Sequence, residues 1–95
     1  MFSAKIHQQG RDRLLAACDT ELLGKDLGNG FVVNKRFYGS DTLDDDEVAG
    51  LMDACTVGNL VGERVIKLAK KKKIVREGAI IVLSGTPHAQ FVRML

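Results

Sequence analysis

The stretch from Asn59 to Lys73 most constrains the fold, because it predicts one amphipathic helix. Val57, Val61, Val65 and Leu68 fall at helical spacing together with Lys72, so the aliphatic members form one stripe. The charged residues that lie outside it are Glu63, Arg64, Lys67, Lys70 and Lys71. Asn59 is placed to cap this helix at its N-terminus. A helix with one apolar stripe must bury that stripe against another layer, so the rest of the chain must supply a sheet or further helices.

Alternating and apolar runs at both ends of the chain predict the strands of that second layer. Phe2 to His7 alternates apolar and polar residues, and Arg13 to Cys18 returns as a mostly apolar run, so the two form a hairpin. Ala79 to Leu83 reads as a buried strand, Ser84 to Pro87 as a turn, and Ala89 to Leu95 as the returning strand.

The middle of the chain predicts a second helix and some shorter features. Asp44 as N-cap and Glu47 three residues later form a capping box, which accounts for the acidic cluster without a metal ion. The core stripe of this helix consists of Val48, Leu51, Met52 and Cys55. Before it, Asp19 is expected to cap a short helical turn, Phe31 to Val33 to form a short strand, and Phe37 to Gly39 to close that strand as an aromatic segment.

Together these elements predict a single α+β domain over residues 1–95. We expect a small, mostly antiparallel sheet of about four or five strands with two main helices packed on one face. Cys18 and Cys55 form no Cys-x-x-Cys motif, so neither a disulfide framework nor a metal site is indicated, and no cofactor is expected. No apolar run is long enough to span a membrane, and the N-terminus does not resemble a signal peptide, so we expect a cytoplasmic protein.

Charge is divided unevenly along the chain. Residues 1–47 contain 6 Lys and Arg against 9 Asp and Glu, whereas residues 48–95 contain 8 against 3. The second half therefore carries a net charge of +5, which favours an anionic partner. The predicted basic surface consists of Lys67, Lys70, Lys71, Lys72, Lys73 and Arg76, and its alternative interpretation is a solvated helix end whose cations complement the helix dipole.

Short motifs distributed over the whole chain resemble the archaeal domain-of-unknown-function 424 family. They are Cys18-Asp19, Leu22-Leu23-Gly24-Lys25, Phe37-Tyr38-Gly39, Asn59-Leu60-Val61-Gly62-Glu63-Arg64 and Pro87-His88-Ala89-Gln90. The resemblance implies a small archaeal cytoplasmic α+β protein with no settled activity, and we hypothesise a link to translation or RNA. The run of four lysines is more basic than the family pattern leads us to expect.

Two stretches supply the candidate binding residues, which are Asn59, Glu63, Arg64, His88 and Gln90. Glycine destabilises a helix, so Gly62 must serve either close packing or backbone access for a ligand. The planar guanidinium of Arg64 can bind a carboxylate or phosphate with two hydrogen bonds. His88 and Gln90 are two residues apart on a strand and should project from one face. If Arg64 and His88 prove adjacent, they would form an anion site.

The leading hypothesis is a small RNA- or ribosome-associated binding module, and no catalytic residue is assigned. One alternative is a small enzyme acting on a phosphate- or carboxylate-bearing substrate at Glu63, Arg64 and His88. A further alternative is a protein–protein adaptor whose polar positions are structural. Few aromatic residues are present to stack on bases, with Phe37 and Tyr38 expected to be the most exposed, so RNA would be bound through its backbone or shape.

Overall fold

The computed structural model describes residues 1–93 as a five-stranded mixed sheet with three helices. The strands are β1 (Phe2–Gln9), β2 (Asp12–Asp19), β3 (Val57–Val61), β4 (Ile81–Leu83) and β5 (Thr86–Val92). The helices are α1 (Lys35–Tyr38), α2 (Asp45–Ala54) and α3 (Glu63–Lys71), and single 3-10 turns lie at Thr20–Leu22 and Glu77–Ala79. The predicted α+β class is confirmed.

The strands lie in the order β1-β2-β3-β5-β4. The predicted hairpin is present as β1 and β2, with Phe2 opposite Asp19 and Gln9 opposite Asp12. β3 and β5 pair antiparallel, as do β4 and β5, whereas β2 and β3 are parallel. The parallel pair requires a long connection, and that connection contains α1 and α2.

Helices α2 and α3 cover one face of the sheet, which we call the helix face. Strand alternation directs Leu15, Leu60 and Phe91 toward this face. They form the main core with the inward residues of α2 and α3, namely Val48, Met52, Val65, Ile66 and Ala69. The two main helices therefore pack on one face, as the sequence predicts.

The opposite face, which we call the loop face, is partly covered by the segment from Leu22 to Tyr38. Ala16, Cys18 and Val61 point to this side and form a second core cluster with three residues of the segment, Leu27, Val33 and Tyr38. One end of β2 is consequently buried on both faces. That explains why Leu14 to Cys18 is apolar without alternating.

The predicted helix from Asn59 to Lys73 is wrong over its first part. Residues Val57–Val61 form strand β3, Gly62 turns the chain at φ 123° and ψ 151°, and α3 begins only at Glu63. Asn59 therefore lies within a strand and caps nothing. Val57 and Val61 fit both a helical stripe and strand alternation, so their spacing could not distinguish the two structures.

Other element predictions need smaller corrections. Around Phe31 to Val33 the structure contains only an isolated bridge between Asp26 and Val32, and Phe37 and Tyr38 belong to α1. Tyr38 is buried rather than exposed. The run Ala79 to Leu83 yields only the three-residue strand β4, which is an exposed edge rather than a buried strand.

The end of the described chain also differs from the prediction. β5 begins at Thr86, so Pro87 lies within this strand rather than in a preceding turn, and β5 ends at Val92. The last two positions of the predicted strand, residues 94 and 95, lie outside the described residues. The capping box of α2 is confirmed: the Asp44 side chain accepts from the Glu47 backbone and Glu47 accepts from the Asp44 backbone.

Candidate functional site

The N-terminus of α3 is held by a carboxylate from a distant strand. The Asp19 side chain, at the end of β2, accepts hydrogen bonds from the backbone N–H of Arg64 at 3.0 Å and of Val65 at 2.9 Å. Asp19 is only 4% exposed. Its predicted role in capping the turn that follows it is wrong, since it makes no side-chain cap there and instead stabilises the positive end of α3.

Arg64 is occupied by groups of the protein itself. Its guanidinium donates to both carboxylate oxygens of Glu21, one at 2.8 Å, and to the Met1 carbonyl at 2.8 Å. The hydrogen bonds from Arg64 lower the pKa of Glu21 to about 2. Both side chains are about half exposed, so the pair contributes at most about 1 kcal/mol. Arg64 thus links the first residue of the chain to α3 through a hydrogen bond.

Arg64 and His88 do not meet, because they lie on opposite sides of the sheet. α3 packs on the helix face, whereas His88 is paired with Val61 and points to the loop face. Glu63 is exposed at the start of α3 and lines a cavity with Ile66 and Val82 on the helix face, whereas the His88 ring is on the loop face. The structure therefore does not assemble one anion site from Arg64 and His88, nor the three-residue enzyme site of the alternative hypothesis.

Three of the predicted binding residues do come together on the loop face. Asn59 lies directly opposite Gln90, and both point to the same side as His88. The Asn59 Oδ1 accepts from the Tyr38 hydroxyl at 2.6 Å and from His88 Nε2 at 3.2 Å. We call the set of Tyr38, Asn59, His88 and Gln90 the loop-face polar cluster.

The hydrogen bond to Asn59 fixes the tautomer of the neutral His88 ring. A carboxamide oxygen only accepts, so His88 Nε2 must carry a hydrogen, and the neutral ring then has a lone pair on Nδ1. That Nδ1 atom is buried and has no hydrogen-bond partner within residues 1–93. Burial lowers the pKa of His88 and raises the pKa of Tyr38. The loop-face polar cluster is consequently uncharged near neutral pH. It can bind a ligand through hydrogen bonds but not through opposite charge.

The burial of His88 predicts a loss of stability in mild acid. Unfolded His88 gains a proton near its ordinary pKa of 6.5, whereas the folded form has a lower pKa and stays neutral. The unfolded state then binds more protons, so the free energy of unfolding should fall as pH drops below 6.5. Urea unfolding at about pH 7.5 and about pH 5.5 should show a larger loss for the native chain than for His88→Gln, which retains a donor for Asn59. Equal losses in the two proteins would contradict this assignment.

The predicted basic surface divides into paired and unpaired cations. Lys70 forms an ion pair with Glu77, and Lys72 forms one with Asp53 at 2.9 Å. The other four cations form no ion pair within residues 1–93, namely Lys67, Lys71, Lys73 and Arg76, and all are exposed. Lys67 and Lys71 also line a surface cavity of about 300 Å³ between α2 and α3.

Comparison with known proteins identifies the family. A family model described as "Protein of unknown function (DUF424)" matches residues 6–94. The chain belongs to this family. The DUF424 chain is also similar to the crystal structure of an uncharacterized conserved protein from the archaeon Methanopyrus kandleri, with 25% sequence identity and a TM-score of 0.79 over 99% of this chain and 94% of that chain. No curated protein matches the DUF424 chain.

Three further findings on this DUF424 member concern metal binding, its cysteines and membrane-spanning helices. Within residues 1–93 there is no group of three or more His, Cys, Asp or Glu side chains placed to hold a metal ion. Both cysteines are buried, and burial raises the pKa of the Cys18 thiol to about 12. Among the helices of the described chain, none is long and apolar enough to cross a membrane.

Sequence reasoning missed the residues that hold the predicted binding residues in place. Asp19 and Glu21 hold the backbone and side chain of Arg64, and Tyr38 holds Asn59. Phe31 packs edge-on against His88, with ring centroids 5.3 Å apart. The local signal for the close approach of Asp19 was Gly62 itself, because an added Cβ there would lie 2.4 Å from Asp19 Cγ.

Proposed function

We propose that this protein binds folded RNA, free or in the ribosome, through the cations of α3 and the segment that follows it. The observation that supports the proposal is that Lys67, Lys71, Lys73 and Arg76 are exposed and have no acidic partner within residues 1–93. A cation without a protein partner can neutralise a phosphate without first breaking an ion pair, so each one adds to the electrostatic part of RNA binding.

The placement of the aromatic rings favours folded RNA over single strands. Phe31 and Phe37 pack on the loop face, whereas the four cations belong to α3 and the segment after it, beyond the helix face. Phosphate contacts without stacking recognise the shape of an A-form helix rather than splayed bases. We therefore expect little dependence on RNA sequence.

Replacing Lys67, Lys71, Lys73 and Arg76 together by alanine should weaken RNA binding about tenfold or more and reduce the slope of log K against log salt by roughly 3. The physical reason is that fewer counterions are released from the RNA on binding when fewer cations contact its phosphates. Binding to a folded RNA such as bulk tRNA should be measured by fluorescence anisotropy from about 50 to about 200 mM salt.

A variant with the same change in net charge serves as the control. Arg11, Lys25, Lys35 and Arg36 are exposed cations outside α3, and their replacement by alanine should leave the salt slope nearly unchanged. Equal weakening of RNA binding in both variants would indicate that the RNA is attracted by the net charge of the protein only. Absence of binding at the lowest salt would remove the RNA proposal.

A further inference from the structure

Strand β5 is longer than the edge strand that covers it. β4 pairs with only three residues of β5, with Leu83 opposite Thr86 and Ile81 opposite His88. β5 continues to Val92. The part of β5 beyond His88 therefore has β3 on one side and no neighbouring strand on the other.

The register shows which backbone groups face this open side. The Pro87 carbonyl accepts from Gly62 N–H, and Arg93 N–H donates to the Thr56 carbonyl, so odd-numbered residues of β5 bond toward β3. Successive residues of an antiparallel strand direct their N–H and C=O groups to opposite sides. The two N–H and two C=O groups of Gln90 and Val92 consequently point to the open edge, where no strand lies within residues 1–93.

The chain before β4 turns away and leaves space beside this edge. Ile80 is half-buried against the main core on the helix face, so the segment preceding β4 leaves the plane of the sheet. A cavity of about 300 Å³ lies between that segment and β5, and its lining is Ala79, Ile81, His88, Ala89 and Gln90. The cavity thus adjoins both the unpaired backbone of Gln90 and the loop-face polar cluster.

Exposed aliphatic side chains are concentrated at the same edge. Five large hydrophobic residues are exposed within the described chain, and three of them lie on β4 or β5. They are Ile81, Val82 and Val92, with exposed fractions of 55%, 66% and 77%. Ile81 and Val92 both point to the loop face, and Ile81 lines the cavity. An edge strand with exposed aliphatic residues is a template for pairing with another polypeptide.

We propose that the β5 edge at Gln90 and Val92 binds an extended segment of a partner protein, which adds a strand to the sheet. The unpaired backbone groups require an extended backbone as their partner, and Ile81 and Val92 favour aliphatic side chains at alternate positions of that segment. A free edge of two residues is short for a second copy of this chain, because stable dimers bury at least about 1,200 Å². It is sufficient to anchor a short peptide.

Val92→Pro tests the backbone contact directly. The Val92 N–H faces the open edge, so proline removes a donor to the peptide while the bonds to β3, made by odd-numbered residues, remain. The probe is a library of random peptides displayed on phage, followed by synthesis of the enriched sequences and measurement of their Kd. We expect enrichment of alternating aliphatic residues, and a Kd about tenfold weaker for Val92→Pro than for the native chain.

Val92→Thr is the matched control, because it keeps the β-branched shape and the backbone N–H, and its Kd should change little. Equal weakening in the two variants would overturn strand addition in favour of a side-chain contact. Failure to enrich any peptide would also overturn the proposal, as would self-association of the native chain that Val92→Pro abolishes. Loss of RNA binding in Val92→Pro would assign the edge to RNA instead.

Amide hydrogen exchange gives a readout that does not depend on a variant folding. The amides of Gln90 and Val92 should exchange quickly in the free protein and become protected when the peptide binds, whereas the amides of Ala89 and Phe91 should be protected in both states. Slow exchange of Gln90 and Val92 in the free protein would contradict the open edge.

Discussion

Gly62→Ala is expected to lower the free energy of unfolding by about 3 kcal/mol or more. Gly62 has φ 123° and ψ 151°, a conformation that residues with a Cβ atom adopt only under strain. An added Cβ would also lie 2.4 Å from Asp19 Cγ and 2.7 Å from each carboxylate oxygen. Asp19 cannot retreat without breaking its hydrogen bonds to the α3 backbone, so strain and steric overlap act together.

Gly50→Ala provides the matched control for this measurement. Gly50 lies within α2, and a Cβ there would meet no atom within 4 Å. Because alanine is the better helix former, Gly50→Ala should raise stability by roughly 0.5–1 kcal/mol. Both variants should be unfolded in urea beside the native chain. Unchanged stability in Gly62→Ala would count against close packing as the reason for glycine and favour backbone access for a ligand.

The elements that sequence reasoning predicted correctly are those with local signals. The β1–β2 hairpin follows from alternation in Phe2 to His7 and a nearby turn, and α2 follows from the Asp44 to Glu47 capping box with its apolar stripe. In both cases the residues that decide the structure lie within one short window. Periodicity and capping are properties of such windows, so they could be read without knowledge of the fold.

The errors occurred where distant residues decide the structure. The segment Val57–Val61 is a strand because β2 and β5 flank it, and neither neighbour is adjacent in sequence. β4 is short and exposed because the preceding chain turns into the core at Ile80. An apolar run at a sheet edge has the same composition as one in the middle, so composition could not distinguish these positions.

The candidate site was predictable in part, but not every residue was predicted for the right reason. The spacing of His88 and Gln90 correctly predicted that they share a face, since alternate strand residues point to the same side. Asn59 joins them because it lies opposite Gln90, and not because it caps a helix. The contacts of Tyr38 with Asn59 and of Glu21 with Arg64 cross 21 and 43 positions of sequence, so no local pattern could indicate them.

Asp19→Ala is expected to lower the free energy of unfolding by about 3 kcal/mol, because it removes a buried charged cap from α3. The backbone N–H groups of Arg64 and Val65 would both lose their acceptor, and the one of Val65 is buried. Asp19→Asn retains one oxygen acceptor without the charge, so its loss should be intermediate. Urea unfolding of the three proteins measures the series, and equal losses for Asn and Ala would show that the charge of the carboxylate carries the stabilisation.

Combining Asp19→Ala with Gly62→Ala tests whether the two residues act through one contact. Once the carboxylate is absent, a Cβ at position 62 meets no obstacle from Asp19, and only the backbone strain of about 1–3 kcal/mol remains. The double variant should therefore be more stable than the sum of the single losses predicts, by about 1 kcal/mol or more. Additive losses would mean that Asp19 and Gly62 stabilise the protein independently. In that case the positive φ, and not the approach of the carboxylate, would be the reason for glycine at the start of α3.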